Sequence, residues 1–239
     1  MKHKLIQSTL CAFTAVALSS CGNKADDKEG GDAAPGSASL GAGTEGGVVL
    51  VTDLPDELIE GTPKPIKLAV PHDTPKAAPE FKVPEGTVLL SGGKPVTSSD
   101  DMPIIGTLDL ITDGDKDAAE GYYVELLSDL QWVQIDLGEE KEIYAIWVWH
   151  FHSQERAYHD VIVQISNDPE FEEGVTTVYN NDFDNSAGMG KGAFSPYAET
   201  RYGLLVDGKG TEGRYVRLYS DGNTSTDMNH YIEVEVWGK

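Results

Sequence analysis

The stretch that decides the fold is Trp132–Gly138, which reads WVQIDLG. Its apolar side chains Val133, Ile135 and Leu137 alternate with polar ones, and a glycine ends the run. Alternation with period two predicts a β-strand that buries one face. The same alternation recurs at residues 160–165, 214–219 and 231–237. These four segments together indicate a domain built from sheets.

A fifth segment, Ile143–Trp149, is apolar on both faces, which predicts a central strand. Turn signals separate the strands at Asn167–Pro169, Asp207–Gly208 and Asp221–Asn223. After the amino-terminal segment, no long stretch shows the spacing of an amphipathic helix. We therefore expect an all-β fold, an antiparallel β-sandwich over residues 85–239. This length suffices for one domain with a full core.

The amino terminus resembles a bacterial lipoprotein signal. Lys2 and Lys4 precede the apolar run Leu5–Leu18, which is shorter than the roughly 20 residues of a membrane-spanning helix. Small residues then lead to Cys21, as in the lipobox, whose cysteine is lipidated before cleavage. We predict a signal peptide over residues 1–20 and a lipid anchor on Cys21; the alternative is an ordinary signal with a coincidental cysteine. The predicted location is the bacterial cell envelope, at the outer membrane or cell surface.

Charge and cysteine content narrow the classes of partner. The chain has 40 acidic and 18 basic residues and a formal net charge of −22. Such a surface repels phosphate backbones and anionic lipid, so we expect no nucleic-acid partner and membrane contact through the lipid anchor only. The two cysteines, Cys11 and Cys21, lie in the signal and at the anchor. The mature protein is therefore expected to have no internal disulfide.

Two segments of distinct composition precede the predicted domain. Residues 21–47 are rich in Gly, Ala, Ser, Asp and Lys, with almost no large apolar side chain, which predicts a disordered tether. Residues 48–84 are rich in proline, which excludes long helices and regular ladders. We expect this second segment to be extended, either as a stiff linker or as a strap lying against the domain.

Several motifs, taken in order, resemble those of one known family. They are Gly93–Ser99 (GKPVTSS), Ile111–Asp115 (ITDGD), the WVQIDLG stretch, Arg214–Tyr219 (RYVRLY) and Glu233–Gly238 (EVEVWG). This order resembles discoidin domains, also called coagulation factor V/VIII type C domains, which have a galactose-binding-like fold. The resemblance implies an eight-stranded jelly roll whose ligand site lies in loops at one end. Because relatives bind carbohydrates, lipid headgroups or proteins, the fold alone does not choose a ligand.

The resemblance also implies a structural Ca²⁺ site. In relatives, an Asp-Gly-Asp loop and a glutamate near the last strand hold the ion, and these positions map to Asp113, Asp115 and Glu233. Carboxylates and turn carbonyls supply the roughly six to eight oxygens that Ca²⁺ takes. The alternative is a solvated acidic turn.

A set of polar and aromatic residues follows the central strand and continues into later loops. In carbohydrate-binding relatives, His, Arg and Asn side chains with an aromatic platform recognise the sugar hydroxyls. The candidate ligand-binding residues are His152, Arg156, Tyr158, Asn181, Asp182, Asn229 and His230. The alternative role of Asn181 and Asp182 is to shape a turn through local hydrogen bonds. We expect His150 in the core, and no third ligand at a telling spacing supports a zinc site at His150 and His152.

The sequence carries no recognisable catalytic motif, whether a nucleophile elbow, a zinc-protease helix or a phosphate-binding loop. We therefore predict a binding module rather than an enzyme. The preferred partner is a glycan or cell-envelope polymer, and the second hypothesis is a protein-binding adhesin or assembly factor, which predicts an exposed apolar patch. The third is a small carbohydrate-active enzyme, which predicts two carboxylates or a His–Tyr pair converging on one pocket.

Overall fold

The computed structural model describes residues 43–62 and 64–239, and the predicted signal peptide and Cys21 lie outside these ranges. The described part confirms the all-β fold, with eleven strands and one short 3-10 helix. The elements are β1 (Val48–Val49), β2 (Lys82–Val83), β3 (Val88–Leu89), β4 (Val96–Ser98), η1 (Leu108–Thr112), β5 (Val124–Leu126), β6 (Gln131–Trp149), β7 (Ile162–Ser166), β8 (Thr176–Asn180), β9 (Leu204–Ser220), β10 (Asn229–Tyr231) and β11 (Glu233–Gly238). Within the described residues, no helix has the length and apolar character needed to cross a membrane.

Two long strands, β6 and β9, pair antiparallel and form the spine of the sandwich. Their register shifts between Asp136 and Lys141 and again between Ile143 and Ala145, and a ladder bends at such irregularities. The first half of β6 pairs with β4 on its other side, whereas the second half pairs with β11. One bent ribbon therefore contributes strands to both layers.

The main core lies between these layers. The sheet order is β3-β11-β6-β9-β7-β8, with β4 also paired to β6. Val133 and Ile135 in the first half of β6 belong to the same buried cluster as Ile146 and Val148 in the second half. The alternation of the WVQIDLG stretch thus fixes which side chains enter the core.

The final predicted strand, residues 231–237, is divided in the structure. Its first part belongs to β10, which pairs with β5, and its second part to β11, which pairs with β6. Ile232 lies between them; its N–H donates to the carbonyl of Trp149 at 2.8 Å. The structure therefore has eleven strands where the resemblance implied eight, and β1 and β2 lie outside the sandwich.

Residues 48–84 form a strap that packs against the outer face of the second layer. Strands β1 and β2 pair with each other near the two ends of the strap. Leu50, Phe81 and Val83 are buried in one cluster with Trp147 and Trp149, whose rings stack 5.4 Å apart. The central strand is therefore covered on both faces, because the strap supplies the second cover. Of the two alternatives left open by the prolines, the structure has the strap.

The strap also starts earlier than composition indicated. Residues 43–47, assigned above to the tether, lie against β2, and Gly43 forms a bridge with Lys82. A Cβ on Gly43 would sit 2.1 Å from the carbonyl oxygen of Lys82, and one on Gly47 would sit 2.4 Å from that of Val83. Only glycine allows so close an approach, so these glycines serve backbone packing rather than flexibility.

Candidate functional site

A cavity of about 740 Å³ lies between the strap and the sandwich, and we call it the strap cavity. Its strap wall comprises residues 57–62, 64 and 74–76, and its sandwich wall comprises residues 152–155, 198–202 and 225–226. The strap is held here by backbone hydrogen bonds from Glu60 N–H to the carbonyl of Ser153 at 2.7 Å and from Asp73 N–H to that of Pro196 at 2.9 Å. The cavity is therefore a composite of two parts of the chain.

Three buried side chains of the sandwich wall each have a polar atom without a partner in the described residues: His152, Ser153 and Glu199. His152 Nε2 lies 3.0 Å from the carbonyl oxygen of Lys116. Because a carbonyl only accepts, Nε2 carries the proton and Nδ1 is the unpartnered acceptor. Burial lowers the pKa of His152, which favours this neutral form. All three unpartnered atoms are themselves buried, so they lie beneath the surface of the cavity rather than on it.

Glu199 is held in place by a cluster of buried rings. Its Oε1 lies 2.7 Å from His150 Nδ1, and the Tyr197 hydroxyl lies 3.1 Å from the same nitrogen. The His150 ring stacks on Tyr158 with centroids 4.5 Å apart. His150 is therefore buried in the core, as expected, and it also fixes the orientation of the buried Glu199 carboxylate.

Tyr158 and His230, two of the predicted ligand residues, lie in a second buried chain of hydrogen bonds. The Tyr158 hydroxyl is 2.9 Å from His230 Nδ1, and His230 Nε2 is 2.9 Å from Glu125 Oε2. If the hydroxyl donates to Nδ1, then Nε2–H donates to Glu125 and the imidazole is neutral. Burial, followed by the charge of Arg156, lowers the pKa of His230 to about 3, in agreement with a neutral ring. Neither side chain lines the strap cavity.

Arg156 lies directly behind the sandwich wall. Its guanidinium carbon is 4.5 Å from the centroid of the Phe151 ring, and Nη2 donates to Gln154 Oε1 at 2.7 Å. Its Nε is buried and has no partner in the described residues. Gln154 lines the cavity, so Arg156 contacts the cavity wall through the Gln154 side chain.

Asn181 and Asp182 shape a separate loop. Asn181 Oδ1 accepts from the N–H of Val161 at 2.8 Å, and the Asp182 carboxylate accepts from the N–H groups of Ser186 and Ala187 at 3.1 and 3.0 Å. These contacts are those of a polar turn. Ligand binding by this pair stays a prediction, and the structure places it outside the residues that line the strap cavity.

Asp182 also belongs to a group of acids to which the structure adds Asp160, a residue that sequence reasoning did not include. In the ranges that the structure describes, the one set of three ligating groups within 4.8 Å of one another is Asp160, Asp182 and Asp184. The Ser186 hydroxyl lies 2.8 Å from Asp160 and 2.7 Å from Asp184. The pKa of Asp160 is raised, because the effect of burial exceeds the opposite effect of the hydrogen bond from Ser186. This set does not contain His150 and His152, so the structure adds no third ligand to the zinc hypothesis.

Asn229 braces the loops around β10. Its Oδ1 accepts from the N–H of Gly222 at 2.8 Å, and its Nδ2 donates to the carbonyls of Leu127 and Asp129, each at 2.9 Å. The side chain is fully buried and its amide is saturated by backbone groups. In this structure its role is to hold three loop segments together.

The loop after η1 carries Asp113 and Asp115, two of the predicted calcium residues, and its backbone contacts the third, Glu233 of β11. Glu233 is fully buried; its Oε2 accepts from the N–H of Gly114 at 3.1 Å, whereas Oε1 has no partner in the described residues. Burial raises the pKa of Glu233 to about 8. Asp113 and Asp115 each accept from the N–H two residues further on, which makes successive Asx turns. A cation at this loop would supply the partner that Glu233 lacks, but Asp113, Asp115 and Glu233 do not form a set of three ligating groups within 4.8 Å in the described residues, so Ca²⁺ binding stays a prediction.

The structure therefore brings only part of the predicted ligand set to the strap cavity. His152 lines the cavity. Arg156 does not line it but directly follows Glu155, which does. The remaining candidates hold other loops together or lie in the core. Sequence reasoning missed Ser153 and Glu199. Ser153 could have been found as the neighbour of His152, but Glu199 reaches the site from 47 residues away and no local pattern marks it.

The described residues thus form a two-layer β-sandwich with a cavity between the sandwich and the strap. Residues 110–218 match the model of the F5/F8 type C family described as NedA-like, galactose-binding domain. Residues 110–218 are therefore assigned to a discoidin-type, galactose-binding-like domain, which confirms the resemblance that the motifs predicted. No curated protein matches the chain.

Solved structures with similar folds come from several bacterial proteins. A fucose-binding module of Streptococcus pneumoniae aligns with 66% of this chain and 100% of its own, at 16% identity and a TM-score of 0.44. A chitosan-binding module from a Paenibacillus chitosanase/glucanase aligns with 63% of this chain and 99% of its own, at 19% identity and a TM-score of 0.42. A family 89 glycoside hydrolase of Clostridium perfringens aligns over 64% of this chain at 22% identity and a TM-score of 0.48, and the match spans 15% of that enzyme.

Proposed function

We propose that this protein is a non-catalytic glycan-binding module held at the bacterial cell envelope by a lipid on Cys21. The observation that carries the proposal is the strap cavity, whose sandwich wall contains His152, Ser153 and Glu199, each with one buried polar atom that has no partner in the described residues. The family description as a galactose-binding domain supports a sugar as the ligand. The predicted anchor supports a position where envelope or environmental glycans are met.

The chemistry of the wall suits a polyhydroxylated ligand. His152 Nδ1 and Glu199 Oε2 are acceptors, and the Ser153 hydroxyl can donate or accept. A sugar presents several hydroxyls at fixed spacing, so one residue can satisfy more than one of these atoms at once. A buried polar atom left without a partner costs about 1–3 kcal/mol, and a ligand toward which these side chains turn would recover that free energy.

Calcium binding forms a second part of the proposal. Glu233 and the Asp113–Asp117 loop would hold the ion, which would compensate the buried carboxylate and stiffen the loop. This loop adjoins the strap cavity, because the carbonyl of Lys116 accepts from His152. The ion would thereby help to fix the orientation of the His152 ring.

The glycan proposal can be tested by affinity electrophoresis and calorimetry with a panel of soluble glycans. His152→Ala and Ser153→Ala should each weaken binding of the glycan that binds best by at least about tenfold, whereas His159→Ala, a histidine outside the cavity, should leave it unchanged. Binding that survives both cavity substitutions would overturn this location of the site. Cleavage of the glycan would favour the third hypothesis, since four glutamates, Glu57, Glu60, Glu155 and Glu199, line the cavity.

The calcium proposal has its own test. A ligand at about 100 times its Kd stabilises the folded state by about 2.7 kcal/mol, which corresponds to a rise of about 5–11 °C in Tm for a domain of this size. Ca²⁺ should therefore raise the Tm of the native protein and of Glu170→Gln, an exposed control, but not that of Glu233→Gln. An equal rise in all three would show that the ion binds elsewhere.

One observation favours protein binding as the second candidate. Met102, Ile104 and Leu127 are exposed to 83%, 49% and 50%, and the Asp100 carboxylate accepts from the N–H groups of both Met102 and Leu127. Apolar side chains that are held next to one another on the surface are typical of a contact site. Absence of binding to any glycan, together with loss of capture of an identified envelope protein in Met102→Ser, would support this candidate.

A further inference from the structure

The middle of the strap is attached to the sandwich without being part of its core. We call residues 56–62 and 64–80 the lid. No described residue of the lid is buried, and none belongs to either apolar cluster. The buried residues of the strap, Leu50, Phe81 and Val83, lie at its two ends. Segments with few buried apolar contacts are the ones that detach locally at a low cost in free energy.

Both ends of the lid are held in place by contacts outside it. At the first end, Leu54 packs against the outer cluster, and Arg201 Nη1 donates to the carbonyl of Pro55 at 3.0 Å. At the second end, Phe81 is 1% exposed, and its carbonyl accepts from the N–H of Leu50 at 2.8 Å. The lid can therefore move while the strap stays on the sandwich.

Between these ends, backbone hydrogen bonds attach the lid to the sandwich. The N–H of Glu60 donates to the carbonyl of Ser153 at 2.7 Å. Further along, Asp73 donates to the carbonyl of Pro196 at 2.9 Å and accepts from the N–H of Ala198 at 2.7 Å. Water replaces such partners when a segment lifts, so the net cost of breaking these bonds is small.

The lid covers polar atoms that have no partner. Ser153 is 1% exposed, and its hydroxyl has no partner in the described residues, although its carbonyl binds the lid. His152 Nδ1 next to it is also buried and unpartnered. Burial of a polar atom without a partner is unfavourable, and a lifted lid would give water access to this part of the wall. The closed position therefore carries a cost that the open position relieves.

We infer that the lid swings between the closed position of the structure and an open position that uncovers Ser153 and admits the ligand. Both ends of the strap stay in place during this movement. The inference concerns the regulation of the strap cavity and rests on the proposed function for its ligand, whereas the opening itself is measured without one. It also accounts for the buried position of the polar atoms in the wall, since the structure has the lid closed.

Thiol labelling measures the opening directly. The test uses the mature chain with Cys21→Ser, in which Ser153→Cys supplies the single thiol. We expect this thiol to react with a disulfide reagent at least about tenfold faster than the thiol of Val163→Cys, a core position in β7 with 0% exposure. Dilute urea should hardly change the first rate, because local opening exposes little surface, and should raise the second rate steeply through global unfolding.

Two results of this labelling would overturn the inference. Equal rates with equal urea dependence would show that the lid opens only when the whole domain unfolds. A Ser153→Cys thiol as reactive as free cysteine would show that no closed lid covers the position. If Ser153→Cys does not fold, Ala198→Cys, which is 1% exposed beside the second attachment point, takes its place.

Removing one attachment point should favour the open lid. Glu60→Pro lacks the N–H that donates to Ser153, whereas Glu60→Ala loses the same carboxylate but keeps that N–H. The introduced thiol should react at least about threefold faster with the proline than with the alanine. Ala78→Pro changes an exposed lid residue whose N–H has no partner in the described residues, and it should leave the rate unchanged. Equal rates in the two Glu60 variants, or an equal acceleration by Ala78→Pro, would overturn the assigned attachment.

Entry of the ligand through the lid has a quantitative signature. If only the open position admits the ligand, the apparent Kd falls as the open fraction rises. With Ser153 intact, Glu60→Pro should therefore bind the best glycan of the panel more tightly than Glu60→Ala, by the factor that separates their thiol rates. Equal Kd values would overturn the inference while leaving glycan binding intact. Binding of no glycan would instead overturn the proposed function, and the thiol rates would still decide whether the lid opens.

Discussion

Replacing Phe81 by alanine tests whether the strap is an integral part of the fold. Phe81 is 1% exposed and belongs to the outer cluster that contains Trp147 and Trp149. Truncation leaves a cavity beside the stacked indoles and removes the contact that fixes the end of the strap. If residues 48–84 were instead a detached linker, the substitution would cost almost nothing.

The magnitude follows from the buried area. An aromatic side chain buries about 150–250 Å², which at about 25 cal/mol per Å² corresponds to about 4–6 kcal/mol. References based on an extended chain overstate burial by roughly 10–40%, so about 2–5 kcal/mol remains, which overlaps the range of about 3–5 kcal/mol found for Phe→Ala in cores. For a domain of this size we expect Tm to fall by about 4–20 °C.

The assay is urea unfolding followed by tryptophan fluorescence, which reports on Trp147 and Trp149 directly. Val51→Ala is the matched control: it lies in the same strap but is 75% exposed, so its free energy of unfolding should stay within about 0.5 kcal/mol of the native value. A change of less than about 1 kcal/mol in Phe81→Ala would refute the integral role of the strap.

Two further predictions concern the core and its response to pH. Gly203→Ala should destabilise the fold by more than Gly174→Ala. Both glycines have positive φ, but only at Gly203 would the added Cβ meet the Trp149 ring, 2.8 Å away. Equal losses of unfolding free energy in urea would contradict this reason. Because the folded pKa of His230 lies below its ordinary value of about 6.5, its contribution to stability is present above about pH 6.5 and is lost progressively as pH falls toward 3. His230→Gln should therefore lose less stability than the native protein between pH 7 and pH 4, and parallel losses would contradict the buried neutral ring.

The sandwich could be predicted because its information is local. Alternation in WVQIDLG and in Arg214–Tyr219 specifies strands with one buried face, and these two segments pair with each other in the ribbon of β6 and β9. The apolar run Ile143–Trp149 predicted a strand covered on both faces, but not which residues form the second cover. That cover is the strap, whose spaced apolar residues Leu50, Phe81 and Val83 show no periodicity.

The candidate site was harder to predict from the sequence, because its residues meet only in three dimensions. His152 was found from its place after the central strand, whereas Glu199 owes its role to the hydrogen bond with His150. Tyr158 and His230 were predicted to bind a ligand because of their hydrogen-bonding groups. Both side chains are buried, and these groups form a hydrogen bond with each other instead. A residue type predicts what a side chain can bind, while the packing around it decides whether a ligand can reach it.

The composite nature of the cavity also limits what the family alone can imply. The match to the galactose-binding domain covers residues 110–218, whereas one wall of the cavity is built from residues 57–62, 64 and 74–76. A ligand in the cavity would therefore contact side chains that the family model does not describe, and the identity of its ligand does not follow from the fold. The sandwich fixes His152 and Glu199 in place, and the strap sets the width and charge of the opening. Specificity in this protein is thus expected to follow the strap, so that substitutions at Glu57 or Glu60 should change which saccharide binds before they change the stability of the fold.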